Sequence, residues 1–271
     1  MAQALSTKKN DYLKNTKNHS IFTALPVCKW LDEIIQPEIP KGAVILDPAC
    51  GTGNLTAYLK GALILNCDIA DHGAGLDNFV KGDFLDWKKG QYEGIDLVII
   101  NPPYNHSPES RKKWGKTSLL PEMFVDKCFE LFGKNVKIVL FTPMGLLLNT
   151  RCKTKKQGSR YRNIRDNWGQ ITSIVSLPLD CFHNPDFNTS YPEQSKSPDK
   201  FKSKFKKLKT TSKEVLKDPI KYFQKSNLKR KETHQQIIFF NMPGLKPHYC
   251  LPESVIEELR EIDKEMIASD D

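Results

Sequence analysis

Successive short apolar runs in this chain each close on a polar side chain, and this pattern restricts the fold more than any other feature. Ala43 to Leu46 is followed by Asp47, and Ala62 to Cys67 by Asp68. Ile95-Asp96-Leu97-Val98-Ile99-Ile100 is followed by Asn101-Pro102-Pro103-Tyr104. Short, nearly continuous branched runs read as buried parallel strands. Further strands are expected near Phe79–Val80, Val136–Phe141, Ile171–Leu177 and Gln236–Asn241. Helical patterns run from about Val27 to Ile35 and from Pro121 to Phe132, the second with Met123, Phe124, Cys128, Leu131 and Phe132 as an apolar stripe. A third helical pattern follows the first strand through Lys60. Alternating strands and helices imply an α/β fold, Rossmann-like and doubly wound, with a mostly parallel seven-stranded sheet.

In such sheets ligands bind beyond the carboxyl ends of the strands. The Asn-Pro-Pro-Tyr segment lies there. Proline has no N–H and cannot continue the ladder, so the segment ends the strand and fixes its backbone. The Asn101 amide oxygen and a rigid carbonyl can both accept hydrogen bonds from one amino group, while Tyr104 offers a flat face to a planar ring. The constellation suits holding an aromatic or amide NH2 still while its nitrogen reacts.

The first strand leads into Asp47-Pro48-Ala49-Cys50-Gly51-Thr52-Gly53-Asn54. Strand, glycine turn and helix form an arrangement in which backbone N–H groups receive a polar ligand. No Gly-Lys-Ser/Thr follows, so this is not a P-loop, and no third glycine completes a dinucleotide fingerprint. Asp68 ends the next strand about 20 residues on, where a ribose diol is commonly gripped. Asp83-Phe84 then supplies an acid and an aromatic suited to the amino edge and face of an adenine.

With these motifs in order, the chain resembles the class I S-adenosylmethionine-dependent amino-methyltransferases. It is most similar to the DNA adenine-N6 group, in which the cofactor motifs precede the catalytic tetrapeptide. The resemblance runs from about Ser20 to Pro143 and resumes at Ile171 to Leu177 and Gln236 to Asn241. Ile21-Phe22-Thr23-Ala24-Leu25-Pro26 resembles that group's first motif. The resemblance implies S-adenosyl-L-methionine as cofactor and an antiparallel last strand. Thr23, Asp47, Gly51 and Gly53 would hold its methionine moiety, Asp68 its ribose, and Asp83 with Phe84 its adenine, with Ala49 a further cofactor-binding residue. Asn101, Pro102 and Tyr104 would present the substrate amine. The implied reaction is methyl transfer to N6 of adenine in DNA. Related enzymes with the same tetrapeptide modify RNA bases or a protein glutamine, and a catalytically inactive nucleic-acid-binding subunit is a further alternative.

The chemistry itself is legible. An exocyclic amine on adenine is a poor nucleophile because its lone pair is delocalised into the ring. Acceptors placed off the ideal planar geometry favour a pyramidal nitrogen and free that lone pair. Orientation and electrostatic preorganisation then do most of the work, without a strong general base. His106 is a secondary candidate for proton relay. A base inside a duplex cannot reach such a pocket, so the target is flipped out or single-stranded.

Charge points to the partner. The formal net charge is +9 over 271 residues. Between residues 184 and 231, thirteen Lys and one Arg stand against five acids, an excess equal to that of the whole chain. A concentrated basic segment is the footprint of a phosphate backbone. Lys202, Lys204, Lys206, Lys207 and Lys209 interleave with Phe201 and Phe205, which suits base stacking. A smaller basic stretch after the fifth strand carries Lys153, Lys155, Lys156, Arg160 and Arg162. Nucleic acid, DNA before RNA, is therefore the expected partner, with a partner subunit for target recognition left open.

No run approaches the roughly 18 apolar residues of a membrane span, and residues 1–18 lack a signal-peptide core. Seven cysteines without Cys-x-x-Cys spacing argue for reduced thiols and against a metal site. Cys50 reads as packing rather than as a nucleophile. A cytoplasmic location is expected. The chain divides into a polar arm (1–20), a catalytic domain (21–183 and 232–250), a Lys-rich insertion before the last strand (184–231) and an acidic C-terminal helix (251–271), a docking surface or solvated cap. A large C-terminal recognition domain, typical of sequence-specific enzymes of this group, is not expected among these residues, which weakens the expectation of stringent sequence specificity.

Overall fold

The computed structural model describes residues 23–104, 112–113, 120–143, 146, 167–178, 233–245, 251–252, 254–259 and 261. Seven strands form one sheet: β1 (Val44–Asp47), β2 (Leu63–Asp68), β3 (Phe79–Lys81), β4 (Ile95–Ile100), β5 (Lys137–Pro143), β6 (Ile171–Pro178) and β7 (Thr233–Phe240). Their order is β3-β2-β1-β4-β5-β7-β6. Strands β1 to β5 pair in parallel, whereas β7 runs antiparallel between β5 and β6. The expected sheet is therefore present, and each predicted strand falls within about three residues of its place.

Strict alternation of side chains builds a core on both faces. Val98, Ile100, Ile138, Leu140, Ile238 and Phe240 pack on one side against helix α2 (Leu120–Phe132), through Phe124, Val125, Cys128 and Phe129. Ile45, Leu97, Ile99, Val139, Phe141, Ile237 and Phe239 pack on the other, against helix α1 (Leu25–Ile35) through Val27, Cys28, Trp30, Leu31 and Ile35. Pro26, in the first turn of α1, lacks an N–H at a position where the helix offers that donor no partner.

Two expectations change. The helical pattern through Lys60 is only a 3-10 turn at Asn54–Thr56. An α-helix would direct the Tyr58 N–H to the Asn54 carbonyl, but the Asp32 carboxylate on α1 takes it at 3.0 Å. The acidic C-terminal segment is also more than a solvated cap. Leu251, Val255, Ile256 and Leu259 are buried in the α1-side core, and residues 254–258 carry the acids Glu257 and Glu258 outward as exposed positions.

The edge of the sheet away from the strand carboxyl ends is tied by one side chain. Asn241 follows β7 with φ +56°, a left-handed conformation that asparagine tolerates. Its Nδ2 donates to the carbonyls of Lys134 and Val136 at 2.7 and 2.8 Å, and its Oδ1 accepts from the Gln170 N–H at 2.9 Å. A Cβ at Gly169 would lie 2.3 Å from Asn241 Nδ2, so the glycine leaves room for this bridge. The starts of β5 and β6 are thereby fixed to the end of β7.

Candidate cofactor and substrate cleft

The order reverses between β1 and β4, which both leave the sheet at the same crevice. Such a switch point is where open α/β sheets take ligands. The turn after β1 is held by polar contacts within itself and to the neighbouring strand β2. The Ala49 N–H donates to Asp47 Oδ1 at 3.3 Å, the Cys50 N–H to the Cys67 carbonyl at 3.0 Å, and the Gly53 N–H to the Cys50 carbonyl at 2.7 Å. Gly51 and Gly53 have φ of +53° and +78°, the left-handed region in which a Cβ is strained.

Asp68, expected at a ribose, also braces this turn. Its Oδ2 accepts from the Gly51 N–H at 2.9 Å, and its Oδ1 from the Ala70 N–H at 3.0 Å. Asp83 Oδ1 accepts from the Leu85 N–H at 3.0 Å, while its Oδ2 meets Lys113 Nζ at 3.0 Å. Lys113 also pairs with Asp86. Phe84 is buried at 1% exposure, edge-on to Trp87 and tilted against Phe124. Its ring belongs to the core and anchors the Asp83 turn.

Three residues join this loop to the tetrapeptide. Asn101 Nδ2 donates to Thr23 Oγ1 at 2.9 Å, and Asn54 Nδ2 donates to the Thr23 carbonyl at 3.4 Å. The Tyr104 hydroxyl donates to Asn101 Oδ1 at 3.3 Å. These partners fix which end of the Asn101 amide is donor and which is acceptor. Burial raises the Tyr104 phenol well above its ordinary value, so it stays protonated and able to donate. Thr23, Asp47, Gly51, Gly53, Asp68, Asp83, Asn101 and Tyr104 thus converge on one end of the sheet, with Pro102 buried beside them.

Carboxyl groups crowd the rim. Asp47 is fully buried, and its Oδ2 has no hydrogen-bond partner among the described residues. Burial, and then the nearby Asp68 and Asp32, raise its carboxyl to about 8 against the pull of the Ala49 N–H. Burial likewise raises Asp32 to about 8, against the Tyr58 N–H. Asp32 Oδ1 is also buried without a partner. The Cys67 thiol is pushed up to about 12 by burial and then by Asp68, Asp47 and Asp83. Burial raises Cys50 still further, so neither thiol is a nucleophile at neutral pH. Burial holds the unpaired Asp47 carboxyl protonated beneath the glycine turn, and a cationic ligand such as S-adenosylmethionine, whose ammonium and sulfonium are both positive, favours its ionised form.

Three residues at this rim were missed from sequence. Asn54 closes the glycine turn on Thr23, and its place directly after Gly53 was the available signal. Ile69 is a large apolar residue 69% exposed immediately after Asp68. Lys113 reaches the Asp83 turn from far along the chain, and no pattern marks it. The basic stretches at 151–165 and 184–231, His106, residues 1–22 and Cys181 lie outside the described residues. Among the described residues, no group of three or more His, Cys, Asp or Glu could hold a metal, and no helix is long and apolar enough to cross a membrane.

A sheet ordered 3-2-1-4-5-7-6 with antiparallel β7, and with acids and glycines at the first three strand ends, is the fold of the class I S-adenosylmethionine-dependent methyltransferases. The comparison in sequence agrees: over 83 residues the chain is 35% identical to a type II methyltransferase of Thermus thermophilus. That match covers 28% of this chain and 19% of the relative, so the chain aligns with about a fifth of that protein's length. No protein-family model matches. Among solved structures, a Listeria monocytogenes protein assigned to class I S-adenosylmethionine-dependent methyltransferases shares 18% identity, with 92% of this chain and 74% of the other covered, at TM-score 0.48. The M protein of the type I restriction enzyme EcoKI shares 12% identity over 82% of this chain and 44% of its own, at TM-score 0.46.

Proposed function

We propose that this protein transfers a methyl group from S-adenosylmethionine to the N6 amine of adenine in DNA. The observation that carries the reading is the oriented Asn101 amide at the switch point, its Nδ2 turned to Thr23 and its Oδ1 to Tyr104. Asp47, Gly51, Gly53 and Thr23 hold the methionine part of the cofactor, with Ala49 in the same turn. Asp68 serves the ribose, Asp83 the adenine amine, and the exposed Ile69 gives the adenine an apolar platform. Phe84 supports Asp83 from the core. When bound, the cofactor supplies an electrophilic methyl group on a positively charged sulfur.

The chain's own groups prepare the amine. Asn101 Oδ1 and the Pro102 carbonyl accept its N–H groups and draw the nitrogen towards a pyramidal geometry. Prolines 102 and 103 keep these acceptors from relaxing. Tyr104 stacks on the extruded base, which leaves a duplex to reach the cleft. The basic stretches at 151–165 and 184–231 contact the phosphate backbone. Restriction–modification is the setting suggested by the Thermus relative, a type II methyltransferase.

The test is tritiated methyl transfer to unmodified DNA, RNA and protein in parallel, with the product identified by mass spectrometry. N6-methyladenine in DNA is the expected product. Label confined to RNA or to protein glutamine would replace the substrate, and no label on any polymer would reject the reading.

A further inference from the structure

Lys113 is bound to the acid that the cofactor's adenine needs. Asp83 lies on the cofactor rim, beside the end of β2. The neighbouring Gly82 N–H donates to the Asp68 carbonyl at 2.9 Å, and the Gly82 carbonyl accepts from the Cys67 thiol at 3.5 Å. Both Asp83 carboxylate oxygens are engaged. Oδ1 accepts from the Leu85 N–H at 3.0 Å, and Oδ2 from Lys113 Nζ at 3.0 Å. The first contact caps the turn and fixes the carboxylate. The second puts an ammonium on the oxygen that the turn itself does not use.

The lysine has a second seat. Its Nζ also pairs with Asp86, three residues further along the same turn. Side-chain exposure is 27% at Asp83, 43% at Lys113 and 54% at Asp86, so the contacts are open to solvent. Ion pairs this exposed are weak and readily exchanged. Letting go of Asp83 leaves the ammonium on Asp86, which makes the exchange easier still. An adenine amine on the other lone pair of Oδ2 would lie against the ammonium, a neighbour of like sign. In either arrangement Lys113 weakens the adenine contact.

We infer that Lys113 competes with the cofactor's adenine amine for Asp83 Oδ2, with Asp86 as the lysine's alternative partner. This rests on the reading of Asp83 as the adenine acceptor, and adds to it a built-in limit on cofactor affinity. The spent product, S-adenosylhomocysteine, carries the same adenine as S-adenosylmethionine. A lysine that returns to Asp83 therefore loosens product as well as cofactor, and turnover is favoured over product retention. Asp86 sets the balance by drawing the lysine away.

The test is calorimetric binding to wild type, Lys113→Met, Asp86→Asn and the double variant, each as the full chain. The ligands are S-adenosylhomocysteine and S-inosylhomocysteine, in which a 6-oxo group replaces the amine. Lys113→Met should tighten S-adenosylhomocysteine by about two- to fivefold, the scale of an exposed ion pair, and should not tighten the inosine analogue. Asp86→Asn should weaken S-adenosylhomocysteine, because the lysine then rests on Asp83 alone. In the double variant that weakening should vanish. Opposite signs separate competition from a structural role, in which losing either partner of the Lys113–Asp86 pair acts alike. Salt screens the lysine, so the gap between wild type and Lys113→Met should close as salt rises. Unchanged or weaker S-adenosylhomocysteine binding in Lys113→Met would overturn the inference alone. Asp83→Asn tests the reading beneath it and should lose the preference for S-adenosylhomocysteine over the inosine analogue. If that preference survives, Asp83 does not meet the adenine amine, and the inference falls with the reading.

Discussion

The two halves of the sheet's carboxyl rim are prepared in opposite ways. On the cofactor half, Asp68 and Asp83 are already engaged by backbone N–H groups of the turns they serve. On the substrate half, Gln235 and Gln236 are buried with polar atoms unpaired. The first half is braced by its own acids and leaves Asp47 Oδ2 open, whereas the second leaves a whole amide, Gln236, unpaired among the described residues. Asn101 stands between them and is held from both sides, by Thr23 and by Tyr104. A cofactor common to every turnover rewards rigidity, whereas a polymer that must be threaded and released rewards a site that closes on arrival.

Substitutions can break this division, and the largest effect is expected at the boundary. Asn101→Ala should lower single-turnover methyl transfer by about a hundred- to a thousandfold, the loss typical of one preorganised polar group. Calorimetry should find cofactor affinity nearly unchanged, and substantial residual turnover would remove Asn101 from its role. Asp47→Asn acts on the cofactor half alone. It removes the buried carboxylate facing a cationic ligand and should weaken cofactor binding by about ten- to a hundredfold. If DNA affinity without cofactor fell in step, the two halves would not be separable.

Gly53→Ala tests the rigidity of the turn. The residue has φ +78°, and a new Cβ would lie 2.6 Å from the Leu76 side chain. About 1–2 kcal/mol of stability should be lost from the left-handed backbone, visible as a lower Tm. An unchanged Tm would show that the turn relaxes freely.

The last effect concerns pH. Asp32 keeps its proton to about pH 8 in the folded protein, against an ordinary value of 3.8. Its folded value is raised, so the native state binds the extra proton across that window. Its contribution therefore erodes stability as pH climbs from about 4 to about 8. Asp32→Asn, which mimics the protonated form, should match wild type near pH 4 and exceed it by a few degrees of Tm at pH 8.5. Parallel pH–Tm curves would contradict the assignment.

Strands and motif order were legible because apolar runs and their polar stops are local. Asp47, Asp68, Asp83 and Asn101 could be placed at strand ends by spacing alone. Burial could not. Phe84 and Ile69 are both apolar residues directly following an acid at this rim, yet one is in the core and the other faces out. What decides is Phe124, packed on Phe84 from α2. The shortened turn after Gly53 depends in the same way on Asp32, an acid on a different element. Unpaired amides on β7 leave no trace in sequence, since glutamine in a strand looks the same whether satisfied or not.

The Asn241 bridge has a consequence for how the protein can change. The starts of β5 and β6 and the end of β7 are pinned far from the cleft, so the alignment of β6 with β7 is set at the end opposite the chain that connects them. Replacing 184–231 by a short turn should leave Tm nearly unaltered while flattening the salt dependence of DNA binding. The length and content of the chain between β6 and β7 can drift while the register of the two strands stays put.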